Sequence, residues 1–451
     1  MQVENIKLFE RTKVSKAVLI LTVPTILSQL VGVIYNMADA FFIGRLNDPH
    51  QMAAATLAMP LFMLTISISN LFGIGGASLI SRCLGQRKLD KARACSAFCI
   101  WTSIILAFLY GLGVWLFKNS LLPLIGANQD TFQFCSDYLF WTIVVGAVPI
   151  MINPLIANLI RAEGFAKEAS FGMAWGAILN IFLDPIFIFG LDLKVKGAAI
   201  ATLISISSAT LYFFWLLYRH RQKSVITLNP RYYKVKGIAK EVLGVGFPSC
   251  IFNWTATASI IVLNVLMAGY SNLAVAGMGI AKRVDIVAFA VANGMAQGVL
   301  PLIGYNYAAQ KFNRMKSAIK VSLFYSLILS GLTTFYLFFF ASDITHFFIE
   351  DSQTIRFGQF FLKAMCVTCP CVSITMIIIT IFQAAGYKLI PMILAVLRKG
   401  GLDIPLMLLF NYFYGLDGVV WAMPIADALA MAISFIILQP FLHQHSERIN
   451  T

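Results

Sequence analysis

Pro24 and Pro248 open two stretches of this 451-residue chain that run in the same order. Each has a proline, a long apolar run, a short break, a second apolar run with an internal glycine, and then a glycine-centred loop. Gly75 is answered by Gly294, and Gly85, in Leu84-Gly85-Gln86-Arg87, by Gly304, in Ile303-Gly304-Tyr305-Asn306. Further on, Ile160-Arg161-Ala162-Glu163-Gly164 is answered by Phe382-Gln383-Ala384-Ala385-Gly386, and Gly197-Ala198-Ala199 by Gly418-Val419-Val420. The offset stays near 220 residues, about half the chain. The chain is therefore a duplication, and each half meets the same burial problem.

That problem is set by lipid. The sequence is 59% hydrophobic and 12% charged, whereas a soluble domain carries about 25% charged residues. A water-soluble fold of this length cannot hide so much apolar surface, so the bilayer is its solvent. Twelve apolar runs are long enough to cross, at approximately 17–44, 52–81, 94–117, 132–160, 168–190, 197–218, 239–268, 273–305, 317–341, 355–384, 388–414 and 418–442. The first is too long for a signal-peptide core and lacks a small-residue cleavage site, so it reads as a retained span. The expected fold class is an all-α integral membrane protein.

The net charge of +14 belongs to loops, which excludes nucleic acid as a partner and reports orientation instead. Lys and Arg number 24 on the side that holds the N-terminus, the 82–93, 161–167 and 311–320 loops, the 219–240 segment, Lys388 and Arg448, and 4 on the other. By the positive-inside rule, both termini are expected in the cytoplasm of a bacterial cell (inner) membrane. The expected organisation is a six-helix lobe over 1–218, a cytoplasmic linker over 219–238 and a second six-helix lobe over 239–451. Six is even, so both copies enter the membrane in the same sense and form parallel bundles related by a pseudo-two-fold axis along the membrane normal. Such repeats are the architecture of transporters.

Ionisable groups inside spans are costly and mark function. Asp39 lies in Tyr35-Asn36-Met37-Ala38-Asp39, and Asp184 in Asn180-Ile181-Phe182-Leu183-Asp184-Pro185. Asn36 and Asp39 are three apart, Asn180 and Asp184 four apart, so each pair shares a helical face. Pro185 has no N–H to offer the Ile181 carbonyl, which is left free near the carboxylate. Two carboxylates, two amides, a freed carbonyl and the Thr202 hydroxyl form a hard oxygen set. It suits a hard cation or a proton shared between carboxylates. Both acids could instead sit at helix ends among lipid headgroups. In the second half, Lys282, Arg283 and Asp285 fall early in one span, and Arg398, Lys399 and Asp403 in the middle of another. Arg283, Asp285, Arg398 and Asp403 are candidates to line a substrate cavity; the same side chains could close internal salt bridges. Cys366, Cys369 and Cys371 have metal-like spacing, but no His or acid lies nearby and they read as core residues.

Span 1 with Asp39, the Asn180…Asp184-Pro185 pattern followed by Gly197-Ala198-Ala199, Gly73-x-Gly75-x-Ala77-x-x-Ile80-Ser81, and Asn293-Gly294 through Pro301-Leu302-Ile303-Gly304-Tyr305-Asn306 resemble the multidrug and toxic compound extrusion (MATE) family. The resemblance covers nearly the whole chain, and is strongest to the bacterial branch of MepA-type pumps. It implies a secondary active transporter and no enzyme: efflux of amphipathic organic compounds, antibiotics among them, against inward H⁺ or Na⁺ by alternating access. It implies coupling at Asp39, Asn180, Asp184 and Thr202, with the Ala198 carbonyl alongside; Asn36 is added by the face it shares with Asp39, and Pro24 is the expected hinge of span 1. No cofactor is expected beyond the transported ion; the partners are a small-molecule substrate and the bilayer, and the working unit is a monomer. Other family members place acids in spans 7 and 10. This chain has none between Phe247 and Ala268 or between Arg356 and Gln383, so coupling is expected in the first lobe. The alternative is a flippase or exporter of a lipid-linked or anionic metabolite from the same superfamily. No phosphate-binding loop or nucleophile motif points to an ATPase or a membrane enzyme.

Orientation is directly testable. In a functional single-cysteine series, an impermeant maleimide added to intact cells should label position 351 and leave position 223 untouched. Labelling of 223 from outside would reverse the assignment.

Overall fold

The computed structural model describes residues 6–46, 48–349 and 351–447, and they are almost entirely helical. The long helices are α1 (Val14–Gly44), α2 (Pro49–Gly85), α3 (Leu89–Leu116), α4 (Gln129–Val145 with Ala147–Ala162), α5 (Ala166–Gly190), α6 (Lys194–Arg219), α7 (Ile238–Ala268), α8 (Leu273–Ala308), α9 (Phe312–Phe339) and α10 (Ser352–Cys366 with Cys369–Ala385). A final helical run of 57 residues, Leu389–His445, follows. It is interrupted at Gly415, whose φ of 61° and ψ of −138° no helix contains. At 1.5 Å per residue an unbroken run of that length would reach about 85 Å, far beyond a bilayer. The break turns it into α11 (389–414) and α12 (416–445), which brings the spans among the described residues to twelve.

Sequence chemistry starts these helices where expected. Asp48 accepts from the His50 N–H ahead of Pro49 and opens α2. Asn128 and Thr131 form a reciprocal capping box at α4. Ser271 and Asp351 cap α8 and α10 by accepting from the N–H groups of Ala274 and Thr354. Each satisfies backbone donors that lipid cannot. Two spans are bent, α4 by 52° and α10 by 43°. Hydropathy does not report such bends.

Contacts divide the chain into two units, 1–10 with 30–246 and 11–29 with 247–451. The divisions fall inside α1 and α7. In the first unit, Gly75 of α2 lies against α7: a Cβ there would come within 2.1 Å of the Val242 carbonyl oxygen. In the second unit its repeat counterpart Gly294 lies against α1, where a Cβ would meet the Ile26 Cα at 2.7 Å. The glycines recognised as paired in sequence are thus both places where a helix backbone passes in direct contact.

The polar segment after α6 is packed within the first unit. Glu163, between α4 and α5, is 1% exposed and accepts from the Ser224 hydroxyl at 2.7 Å and from the Val225 N–H. Ser96 of α3 donates to the Val225 carbonyl and accepts from Thr227 N–H, both at 3.1 Å. Trp101 Nε1 donates to the Leu228 carbonyl at 3.0 Å, and Lys91 pairs with Glu241 at 2.6 Å.

Burial pushes the Glu163 carboxyl up to about 7, against its hydrogen bonds from Ser224 and Val225, which pull it down. Folded protein therefore holds this proton until about pH 7, while the unfolded chain loses it near 4.5. Stability from this group is lost as pH rises through that window. The melting temperature of the wild-type protein should fall by a few degrees from pH 4.5 to 7.5 relative to Glu163→Gln, on the order expected for a shift of this size. Parallel pH profiles for the two proteins would refute this.

Candidate functional site

The first unit gathers polar side chains from four helices. Tyr35 and Asp39 stand four apart on α1, Tyr138 lies on α4, Asn180 and Asp184 stand four apart on α5, and Thr202 lies on α6. Asp184, Asn180 and Thr202 are 0%, 1% and 3% exposed. The Asn180 amide donates to the Thr202 hydroxyl at 3.4 Å, and Thr202 is also hydrogen-bonded to the Tyr35 hydroxyl. The Asp39 carboxylate is close enough to Asp184 to repel it. The Tyr138 hydroxyl lies within electrostatic reach of both.

The accounting of acceptors is lopsided. Asp39 Oδ1, both carboxylate oxygens of Asp184 and the Asn180 Oδ1 are buried without a well-formed hydrogen bond; the Asn180 side chain is the neutral group that lies nearest to favouring the Asp184 carboxylate. Among the described residues, no lysine or arginine pairs with either aspartate. Two carboxylates held this way in a helix bundle call for positive charge from outside the chain, because an unpaired buried ion costs several kcal/mol. The donor set is oxygen throughout, which fits a proton or a hard monovalent cation.

The backbone contributes as well. Directly after Pro185, α5 loosens into a π-helical turn at Ile186–Gly190, and α4 does the same at Phe140–Val145, just after Tyr138. Such turns hold main-chain groups out of the regular ladder and recur at functional sites.

Two residues expected in this cluster stand differently. Asn36 is exposed, and its amide donates to the Gly32 carbonyl one turn back at 2.8 Å. Ala198 is buried beside Ile43 and Ile188, one turn before Thr202 in α6. Tyr35 and Tyr138 were missed from sequence. Tyr35 could have been found from its spacing to Asp39. Tyr138 carries no local signal.

The second unit contains a cavity of about 280 Å³ with a mixed wall. Phe252 and Phe289 stack at 6.1 Å with their planes 4° apart, and the Arg398 guanidinium lies 5.6 Å from the Phe252 ring centre. Arg398, 3% exposed, donates from Nε to Asp427 Oδ1 at 2.7 Å. Lys282 lies 3.8 Å from Asp285. Lys399 pairs with Asp403 at 3.0 Å, and Asp403 also accepts from the Ser259 hydroxyl at 2.7 Å. Lys282, Asp285, Arg398, Lys399 and Asp427 line the cavity, with Asp403 behind Lys399. Arg283 is exposed and takes no part in it. Three cations therefore meet three carboxylates, so the cavity wall carries the internal salt bridges that the sequence allowed. Asp427, in the apolar run of α12, is the acid that restores the balance and was overlooked.

Comparison with known proteins agrees with this layout. The MatE family model matches the chain twice, over residues 24–186 and 248–409. The multidrug export protein MepA of Staphylococcus saprophyticus is 32% identical over 439 residues, covering 97% of this chain and 96% of its own length. Crystal structures of MATE in straight and bent conformations superpose with TM-scores of 0.93 and 0.91 at 24% and 23% identity; they cover 99% and 100% of this chain and all of their own. With the family model seated on both halves and a full-length relative above 30% identity, the chain belongs to the MatE family.

Proposed function

We propose that the protein is a secondary active multidrug efflux transporter, exporting amphipathic organic compounds against an inward flow of H⁺ or Na⁺ by alternating access. The observation that carries this reading is the facing pair Asp39 and Asp184, carboxylates that repel each other with no lysine or arginine paired to either among the described residues, in the first unit of a MATE fold. A cation arriving at the pair cancels the repulsion between them and occupies the free oxygens of Asp184 and Asn180. Asn180 and Thr202 orient it. Tyr35 links the α1 side of the site to Thr202. The state with the pair neutral and the state with it charged therefore favour different packings of α1, which is how ion binding shifts a conformational equilibrium. Pro24 lies 15 residues before Asp39 in the same helix and leaves the Ile20 carbonyl without its helical donor, so α1 has a place to bend.

The second unit's cavity is the substrate site in this scheme. Its ring pair and methionines Met365 and Met423 offer adaptable apolar contact. The pairing of every lining cation with a carboxylate supports an organic amphipath over the lipid-linked or anionic metabolite of the runner-up reading. The distribution of Lys and Arg supports a location in the bacterial cell membrane with both termini inside. One chain carries both repeats, which supports a monomer as the working unit.

In inverted vesicles with a pH or a sodium gradient imposed separately, Asp39→Asn and Asp184→Asn should each abolish gradient-driven efflux at unchanged protein abundance. Asn180→Ala and Thr202→Ala remove neutral partners worth ~1 kcal/mol, so the driving-ion concentration for half-maximal efflux should rise about fivefold. Wild-type rates in both aspartate variants would refute the coupling site.

At the cavity, Arg398→Gln strands Asp427 without its partner, a loss of about 3–5 kcal/mol for a buried pair, so folded protein should drop sharply. Arg398→Gln with Asp427→Asn removes both charges and should recover abundance while shifting the substrate profile. An unchanged profile in the recovered double variant would remove Arg398 from the substrate site.

A further inference from the structure

The second unit holds an i, i+4 polar pair that parallels one in the first unit. Asn180 and Asp184 stand four apart on α5 beside the π-helical turn Ile186–Gly190. Lys399 and Asp403 stand four apart on α11 inside the π-helical turn Leu397–Asp403. Both aspartates are 0% exposed. Each pair has a hydroxyl supplied by another helix: Thr202 bonds to Asn180, and Ser259 of α7 donates to Asp403 Oδ2 at 2.7 Å. The first members of the two pairs differ in chemistry. The first unit has an amide there, and the second a primary ammonium, whose Nζ lies 3.0 Å from Asp403 Oδ2. Asp403 Oδ1 remains buried with no hydrogen-bond partner, so the carboxylate keeps acceptor capacity that one ammonium does not exhaust.

We propose that Asp403 is the carboxylate of a small monovalent-cation site, and that the site's resident occupant is the chain's own Lys399 ammonium. The lysine is held by its own helix, one turn from the carboxylate. Its local concentration exceeds that of any ion in solution, because tethering makes the encounter intramolecular. The pair is also screened from bulk water, where a salt link is strongest. Sodium or a proton from the medium cannot compete on these terms. The second unit therefore carries a permanently filled copy of an ion site, while the first unit's copy exchanges its ion with solution. That contrast rests on the coupling role proposed for Asp39 and Asp184; the occupancy of Asp403 by Lys399 does not.

The test empties the site and refills it from solution. In the full-length protein purified in detergent, Lys399→Ala vacates the ammonium, and ethylammonium chloride is the probe. Ethylammonium should raise the melting temperature of Lys399→Ala saturably, by about 2 °C or more at several times its Kd. Ethanol at the same concentration should do nothing. Wild type, whose site is filled, and Lys399→Ala with Asp403→Asn, whose site has no carboxylate, should not respond to ethylammonium. A folded Lys399→Ala that shows no selective response overturns the proposal. Should Lys399→Ala not fold, Lys399→Arg and the double variant Lys399→Ala with Asp403→Asn must both fold, since each leaves no unmatched charge; failure of either assigns Lys399 a packing role and overturns the proposal. Efflux by Asp39→Asn with Asp184→Asn, measured alongside, separates the two ideas. Persistence of gradient-driven efflux there removes the coupling role of the first unit and leaves the Lys399 result standing.

Discussion

A charge placed inside a lipid-embedded helix bundle must be answered, and the chain's organisation follows from how it answers each one. Water is absent, backbone groups are consumed by the helices themselves, and an isolated carboxylate costs several kcal/mol. In the first unit, two carboxylates have no lysine or arginine paired to them among the described residues, and we propose that a cation from outside meets them. The second unit meets the three carboxylates of its cavity cluster with a lysine or arginine of its own: Arg398 with Asp427, Lys399 with Asp403, Lys282 with Asp285. At the loop between α4 and α5, Glu163 is answered by a hydroxyl and main-chain N–H groups instead. Duplicated scaffolds can thus hold opposite electrostatic tasks.

The scaffold keeps these sites adjustable by locating them at its irregularities. Three π-helical turns occur among the described residues, at 140–145, 186–190 and 397–403. Each adjoins or contains a residue of one of the two polar clusters. A π turn widens a helix and lets a side chain project where a regular helix would bury it against its neighbour. Proline adds a second kind of joint, by freeing a carbonyl one turn back.

Much of this was legible in the sequence, for identifiable reasons. Spans were visible because lipid solvation demands about 20 consecutive apolar residues, and the twelve runs match the helices closely. The pairs Asn180 with Asp184 and Lys399 with Asp403 were visible because a helix brings i and i+4 together. Tyr138 and Ser259 were invisible, because they reach their partners through packing between helices that share no local pattern. Arg283 was misread by one position: a step along a helix turns a side chain about 100°, which suffices to put Arg283 outside while Lys282 and Asp285 face in. The bends in α4 and α10 had no composition to announce them. The segment after α6 read as a linker because it is polar; packing that the sequence does not announce bonds its Ser224, Val225 and Leu228 to Glu163, Ser96 and Trp101.

The division of α1 and α7 between units has a consequence for how the chain can be cut. Residues 11–29 belong to the second unit and residues 238–246 to the first. Leu21, Thr25 and Val242, all fully buried, sit in these exchanged stretches. Cleavage anywhere between α6 and α7 yields two fragments, neither of which contains a complete unit: one lacks the wall at Gly75, the other the wall at Gly294. The halves are therefore repeats in sequence without being separable modules, and a split gene would have to deliver both products together for either to close its core.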